Sequence, residues 1–144
     1  MKNFKTVAVI GGGPAGIMAA IKSAENGAKV TLFEKNSKLG RKLSITGKGR
    51  CNLTNISDVA EVVKNIPGNG KFLYSALKNF STADTINFFE SLGLKTKVER
   101  GGRVFPQSDN AKEVIEVLEK KLAMLDVEIK FDSKVTKIFS ADKK

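Results

Sequence analysis

Three glycines, Gly11, Gly13 and Gly16, follow a short apolar run and have the spacing of a phosphate-binding turn. The run TVAVI at residues 6–10 is mostly β-branched, which predicts a buried strand of a parallel sheet. Gly11 permits a tight turn out of the strand, Gly13 lets a pyrophosphate approach the backbone, and Gly16 lets the next helix pack closely on the sheet. The spacing therefore predicts a nucleotide-binding turn.

A helix is predicted to begin at Pro14 and to run to about Asn26, with Gly27 in the positive-φ position that ends it. The backbone N–H groups in the first turn of this helix, from Ala15 onward, have no intrahelical acceptors. Such groups, together with the positive end of the helix dipole, favour bound phosphate. The run KVTLF at residues 29–33 then predicts a second strand.

Glu34 ends the predicted βαβ unit, which covers residues 6–34. A carboxylate at this point can accept hydrogen bonds from both hydroxyls of an adenosine ribose, and it would repel a 2′-phosphate. The unit therefore predicts an α/β, Rossmann-like FAD/NAD(P)-binding domain with a parallel sheet and helices. NAD and FAD both fit these residues, and the carboxylate argues against NADP at this site.

The rest of the chain is divided into a ligand-facing, mostly extended loop at 35–56, a helical segment and hairpin at 57–106, and a helix with strands at 109–140. After the loop we predict a helix at 57–65 capped by Ser57 or Asp58, a helix near 71–79, and a helix capped by Ser81 with Asp84 at its third position. A hairpin is predicted around Gly101 and Gly102. A capping box of Asn110 and Glu113 then begins a helix that runs to about Met124, and strands follow at 127–131 and 135–139.

The charge of the chain is strongly basic, with 25 Lys and Arg against 15 Asp and Glu, a net charge of +10. The segment from Lys35 to Ser57 contains no acid and has these bases: Lys35, Lys38, Arg41, Lys42, Lys48 and Arg50. This pattern suits a phosphorylated ligand or a polyanion, and it leaves open a non-enzymatic module that binds nucleic acid. Aromatic residues do not alternate with these bases, which makes nucleic acid the less favoured partner.

The sequence resembles a family of flavoproteins that includes bile-acid reductases and proteins described as aminoacetone oxidases. The matching segments are VIGGGPAGIMAA, FEKNSKLGRKLSITGKGRCNLTN, GRVFP, and NAKEVIEVL with VEI. They extend over nearly the whole chain, and the segment from Leu39 to Asn52 is much more specific than the glycine spacing. The resemblance implies the fold of an FAD-dependent oxidoreductase with FAD as its cofactor.

The resemblance also implies roles for particular residues. Glu34 would bind the ribose, with Lys35 in the same basic loop, and Arg41 and Lys42 would lie near the adenosine or the pyrophosphate. The loop from Thr46 to Asn52 would run toward the flavin, and Val135 would contact the adenine through its backbone. Basic side chains and backbone N–H groups can perform such roles because they neutralise phosphate and bond to flavin edges.

The residue types that are scarce also restrict the chemistry. The chain has no histidine and one cysteine, Cys51, so no metal site is predicted and the catalytic residues stay unassigned. Lys48 and Arg50 would favour a Cys51 thiolate, but a small buried packing role is the favoured interpretation. The apolar start breaks at Gly11, which argues against a signal peptide, and no run approaches the roughly 20 apolar residues of a membrane span. We therefore expect a cytoplasmic protein.

Family members are much longer, and this chain stops just after the predicted strand at 135–139. We therefore expect a truncated, N-terminal portion of an FAD-binding domain, residues 1–144. The small-molecule substrate would bind in the full-length enzyme, with a nicotinamide or oxygen as second partner. Because an incomplete pocket loses buried contact surface, we expect weak FAD binding or none, and no turnover, by this chain alone.

Overall fold

The computed structural model describes residues 5–140, so the ends of the predicted domain 1–144, including the first four residues where a signal peptide would begin, lie outside the described residues. The chain divides into two compact units. The first unit consists of Met1–Lys42 and Leu118–Lys144, and the second unit of Leu43–Val117. No helix among residues 5–140 is long and apolar enough to cross a membrane.

The chain begins with the order strand, helix, strand, and after β2 the helices and strands follow no regular alternation. Their bounds are β1 Thr6–Ile10, α1 Pro14–Glu25, β2 Lys29–Phe33, β3 Thr54–Asn55, α2 Val59–Asn65, α3 Tyr74–Asn79, α4 Thr82–Ser91, β4 Thr96–Glu99, β5 Arg103–Pro106, α5 Ala111–Met124 and β6 Glu128–Lys130, with short 3₁₀ segments at Leu43–Gly49 and Gly70–Leu73.

The first unit has the predicted parallel sheet, with the strand order β1-β2-β6. Val30 and Leu32 of β2 are buried, as are Ile17, Ala20 and Ile21 of α1. Alternate strand positions and helix positions three or four residues apart supply one apolar layer between sheet and helix. The βαβ unit and the third core strand therefore form as the sequence predicts.

The second unit has an antiparallel sheet, with the order β3-β5-β4. Gly101 and Gly102 turn between β4 and β5 with φ of 78° and 72°, which confirms the predicted hairpin. Ser81 caps α4 in a reciprocal capping box with Asp84, and Asp58 caps α2 through the Glu61 N–H. The local cap and turn signals therefore placed the starts of α2 and α4 and the hairpin of β4 and β5 correctly.

The start of α5 differs from the predicted capping box. The Asn110 side chain accepts from the Lys112 N–H at 3.0 Å, and the Ser108 hydroxyl donates to the Glu113 carboxylate. The Asn110 side chain therefore bonds to the residue before Glu113, and not to the Glu113 N–H as a capping box requires. The buried face of α5 includes Val114, Leu118 and Leu122, at intervals of four residues as on one face of a helix.

Two further predictions about elements are wrong. Residues 135–139 are not a strand, because no other described segment pairs with their backbone, and Ile138 and Phe139 are 79% and 83% exposed. The prediction of a mostly extended loop at 35–56 also missed the 3₁₀ segment Leu43–Gly49 and strand β3. An alternating apolar pattern specifies a strand only where a partner strand completes its hydrogen bonds.

Candidate dinucleotide-binding site

The turn between β1 and α1 has the tight geometry that its glycines predict. Gly11 has a φ of 99°, and its N–H donates to the Phe33 carbonyl at 2.8 Å. A Cβ at Gly16 would lie 1.9 Å from the Gly11 carbonyl oxygen, far inside van der Waals contact. Gly16 is therefore required for the close approach of the helix to the turn, as the sequence indicates.

The N-terminus of α1 is open. Gly13 is the N-cap residue, with no side-chain cap, and Pro14 follows as the first helical residue. The first intrahelical bond runs from the Ile17 N–H to the Gly13 carbonyl at 2.9 Å, so helix geometry leaves Ala15 N–H and Gly16 N–H without intrahelical acceptors. A Cβ at Gly13 would meet no described atom within 4 Å apart from its chain neighbours. This arrangement can accept a phosphate oxygen.

The Glu34 carboxylate lies at the end of β2 and is buried, with the residue 6% exposed. Its Oε2 accepts from the Gly12 N–H at 2.7 Å. Its Oε1 accepts from the Asn36 N–H at 2.8 Å and from the Asn36 Nδ2 at 2.5 Å. The carboxylate is thus held against the glycine turn, at the carboxyl end of the parallel strands where nucleotides bind in such sheets.

These contacts determine the charge and the remaining capacity of the site. Burial by itself raises the pKa of the Glu34 carboxyl, but the hydrogen bonds from Asn36 and Gly12 outweigh it and lower that pKa below its ordinary value of 4.5. An ionised carboxylate offers about four acceptor positions, and the donors of Gly12 and Asn36 occupy three. An acceptor position is left on Oε2 for a ribose hydroxyl, so the residues present fit an adenosine.

Several residues that shape this site were missed in the prediction. Gly12 donates to Glu34, and a Cβ on Gly12 would lie 2.3 Å from the Leu39 side chain. The Gly40 N–H donates to the Gly12 carbonyl at 2.8 Å, so the segment after β2 folds back onto the turn. The sequence did indicate Gly12, as the middle one of three consecutive glycines, and Leu39 with Gly40, as the Leu-Gly pair of the motif LGRKL. It contained no recognisable signal for Asn36.

The predicted basic residues of the first unit are all exposed. The Arg41 Nη1 donates to the Asn36 Oδ1 at 3.2 Å, which brings Arg41 to the margin of the Glu34 cluster. Lys35 and Lys42 lie at the surface beside it in sequence. Val135 is 37% exposed and follows Ser133, whose N–H donates to the Glu34 carbonyl at 2.8 Å.

The predicted loop from Thr46 to Asn52 lies in the second unit and forms a left-handed turn. Gly47, Lys48 and Gly49 have φ of 56°, 59° and 85°. The Cys51 N–H donates to the Thr46 carbonyl at 3.0 Å and closes the turn. The Asn52 amide nitrogen, oriented toward acceptors, lies 3.1 Å from the Val104 carbonyl, so this side chain holds the backbone.

Arg50 binds carboxylates of its own unit. Its guanidinium donates to both oxygens of Glu99, at 2.8 and 3.2 Å, and to Asp109 at 3.2 Å, and it lies 4.2 Å above the Phe105 ring. The Cys51 residue is buried, and burial raises the pKa of its thiol. The expectation that Lys48 and Arg50 favour a Cys51 thiolate is therefore wrong, because burial disfavours the charged form of the thiol.

The parallel βαβ sheet, the glycine turn and the acid at the end of β2 define a dinucleotide-binding domain of the Rossmann type. Residues 5–144 match the family described as the HI0933-like protein Rossmann domain. The chain belongs to this family, which confirms the flavoprotein resemblance seen in the sequence and the α/β fold class.

Two curated relatives are similar in sequence to this chain over most of its length. A 3-dehydro-bile acid delta(4,6)-reductase of Clostridium scindens is 42% identical over 125 residues, covering 85% of this chain and 30% of the relative. A ribosomal RNA dihydrouridine synthase of Haemophilus influenzae is 28% identical over 138 residues, covering 96% and 34%. The chain thus spans about a third of the length of these relatives.

A solved structure confirms the fold. The 3-ketosteroid-delta4-(5alpha)-dehydrogenase of Rhodococcus jostii RHA1 superimposes with a TM-score of 0.65 at 16% identity. The match covers 92% of this chain and 39% of that protein. At this identity the likeness concerns the backbone arrangement alone.

Proposed function

We propose that the first unit binds the ADP half of FAD and that the chain is the cofactor-binding part of an FAD-dependent oxidoreductase. The observation that carries this proposal is the buried Glu34 carboxylate, held by Gly12 at the carboxyl end of β2 with an acceptor position to spare. The open N-terminus of α1 supplies backbone N–H groups for the pyrophosphate. A buried anion at this position also disfavours the 2′-phosphate of NADP.

FAD is proposed over NAD because the sequence resembles a flavoprotein family that includes bile-acid reductases, and a relative with 42% identity is named as a bile acid reductase. Bound FAD supplies hydride chemistry, and the protein binds and orients it. The contacts proposed from the resemblance, beyond the glycine turn and Glu34, are those of Lys35, Arg41, Lys42, Thr46, Asn52 and Val135. The substrate would be a small molecule bound by the whole protein, in the cytoplasm.

A second candidate is an oxidoreductase that acts on RNA. Its support is the net charge of +10 and the similarity to a relative named ribosomal RNA dihydrouridine synthase. A polyanionic substrate would be attracted by this excess of Lys and Arg. Binding of an RNA oligonucleotide that weakens steeply with added salt would favour this candidate, and no binding at low salt would eliminate it for this chain.

The proposal is tested by calorimetric titration of the chain with FAD, FMN, NAD⁺ and NADP⁺. We expect FAD to bind weakly but more tightly than FMN, which lacks the ADP half, and NADP⁺ to bind least. The matched variant is Gly13→Ala, whose methyl group would occupy the approach to the backbone. Equal affinity for FMN and FAD, or for NADP⁺ and NAD⁺, would contradict the assignment of Glu34.

A further inference from the structure

Asn36 has an unusual position, with both of its donors on one oxygen of Glu34. Its backbone N–H and its Nδ2 lie 2.8 and 2.5 Å from Oε1. Gly12 binds the other oxygen at 2.7 Å. Three donors from two sides determine both the position and the plane of the carboxylate, which a single partner could not do.

The orientation of the Asn36 carboxamide is itself determined. Its Oδ1 accepts from the Arg41 Nη1 at 3.2 Å, while its Nδ2 faces Glu34. Rotating the amide by half a turn would place its oxygen against a carboxylate and its NH₂ against a guanidinium, losing both hydrogen bonds. Arg41, Asn36 and Glu34 therefore form one chain of hydrogen bonds that ends at the glycine turn.

We infer that Asn36 is a positioning residue for the nucleotide site, because it holds the Glu34 carboxylate in the orientation that presents Oε2 to a ribose hydroxyl. The inference rests on the proposed function and adds to it the residue that controls the ribose contact. Asn36 itself need not touch the ligand. Its effect on affinity therefore passes through Glu34 and depends on the presence of the ribose hydroxyls.

The binding test compares ADP with 2′,3′-dideoxy-ADP in the wild type and in Asn36→Ala. We expect the variant to lose roughly tenfold in affinity for ADP, since it loses one bond to a charged group, and to bind the dideoxy probe as the wild type does. Asn26→Ala is the matched control. The Asn26 side chain donates to the Lys22 carbonyl at the end of α1, away from Glu34, so its affinities should be unchanged. Equal losses for both probes would mean general structural damage and would overturn the inference.

A second measurement needs no ligand. The Asn36 hydrogen bonds lower the pKa of the Glu34 carboxyl, and Lys35 adds a smaller effect of the same sign. An NMR titration of the Glu34 carboxyl carbon should therefore show a higher midpoint in Asn36→Ala than in the wild type. An unchanged midpoint would overturn the positioning role even if ADP binds. If the midpoint is higher in Asn36→Ala but the wild type binds no ADP, the proposed function is rejected and the contact between Asn36 and Glu34 is kept.

Discussion

Replacing Gly16 by alanine tests the geometry on which the whole site depends. The new Cβ would lie 1.9 Å from the Gly11 carbonyl oxygen, whereas ordinary contacts begin near 3.4 Å. Because the obstacle is backbone, the helix or the turn has to move. Overpacking of this kind costs about 3 kcal/mol, and the better helix propensity of alanine returns about 1 kcal/mol. We therefore expect Gly16→Ala to lower the free energy of unfolding by about 2 kcal/mol.

Gly13→Ala is the matched comparison in the same turn. Gly13 has φ of −81° and ψ of 177°, which alanine adopts without strain, and its Cβ would meet nothing within 4 Å beyond its chain neighbours. We expect a change in unfolding free energy below about 1 kcal/mol, from the poorer N-cap. The affinity for FAD should nevertheless fall, because the methyl group occupies the space at the open end of the helix.

Urea denaturation followed by circular dichroism measures both variants. With an m-value of about 2 kcal/mol/M, the loss in Gly16→Ala corresponds to a midpoint lower by about 1 M. A Gly16→Ala midpoint equal to that of the wild type would refute the close-packing argument. Equal destabilisation of both variants would also refute it, since only Gly16 faces a backbone atom.

Two further predictions concern titratable groups. Glu34→Gln should reduce the unfolding free energy by about 1–3 kcal/mol at neutral pH. Because the folded-state pKa of Glu34 is lowered, the wild type should be more stable than Glu34→Gln above pH 4.5, and this difference should be lost as the pH falls through the folded-state pKa. Urea midpoints of wild type and variant that still differ at the lowest pH would contradict this prediction. Cys51, the only cysteine, should react slowly with a thiol reagent in the native chain and rapidly in urea, and fast native reaction would contradict its burial.

Much of the fold could be predicted because its signals are local. The apolar run before Gly11, the helix stop at Gly27 and the acid at Glu34 lie within a few residues of the elements they specify. Ser81 with Asp84 places the start of α4 for the same reason. Caps, turns and strand propensities operate over one or two turns of chain, so they can be recognised without knowing the packing.

Partners distant in sequence could not be predicted in this way. Arg50 binds Glu99 and Asp109, which lie 49 and 59 residues further along the chain, and these contacts change Arg50 from a candidate anion ligand into an internal ion-pair partner. The segment at 135–139 has the composition of a strand but no paired backbone among the described residues. Both results depend on which groups meet in space.

The sequence alone determined the βαβ unit and the place of Glu34 at the end of β2, because glycine sterics and hydrophobic periodicity are properties of adjacent residues. The tertiary structure alone decided how Glu34 is held, through Gly12 on one oxygen and Asn36 on the other. Gly12 lies 22 positions from Glu34, and the two meet only when β1 and β2 pair. The orientation of a buried carboxylate depends on its donors, and folding is what brings those donors together.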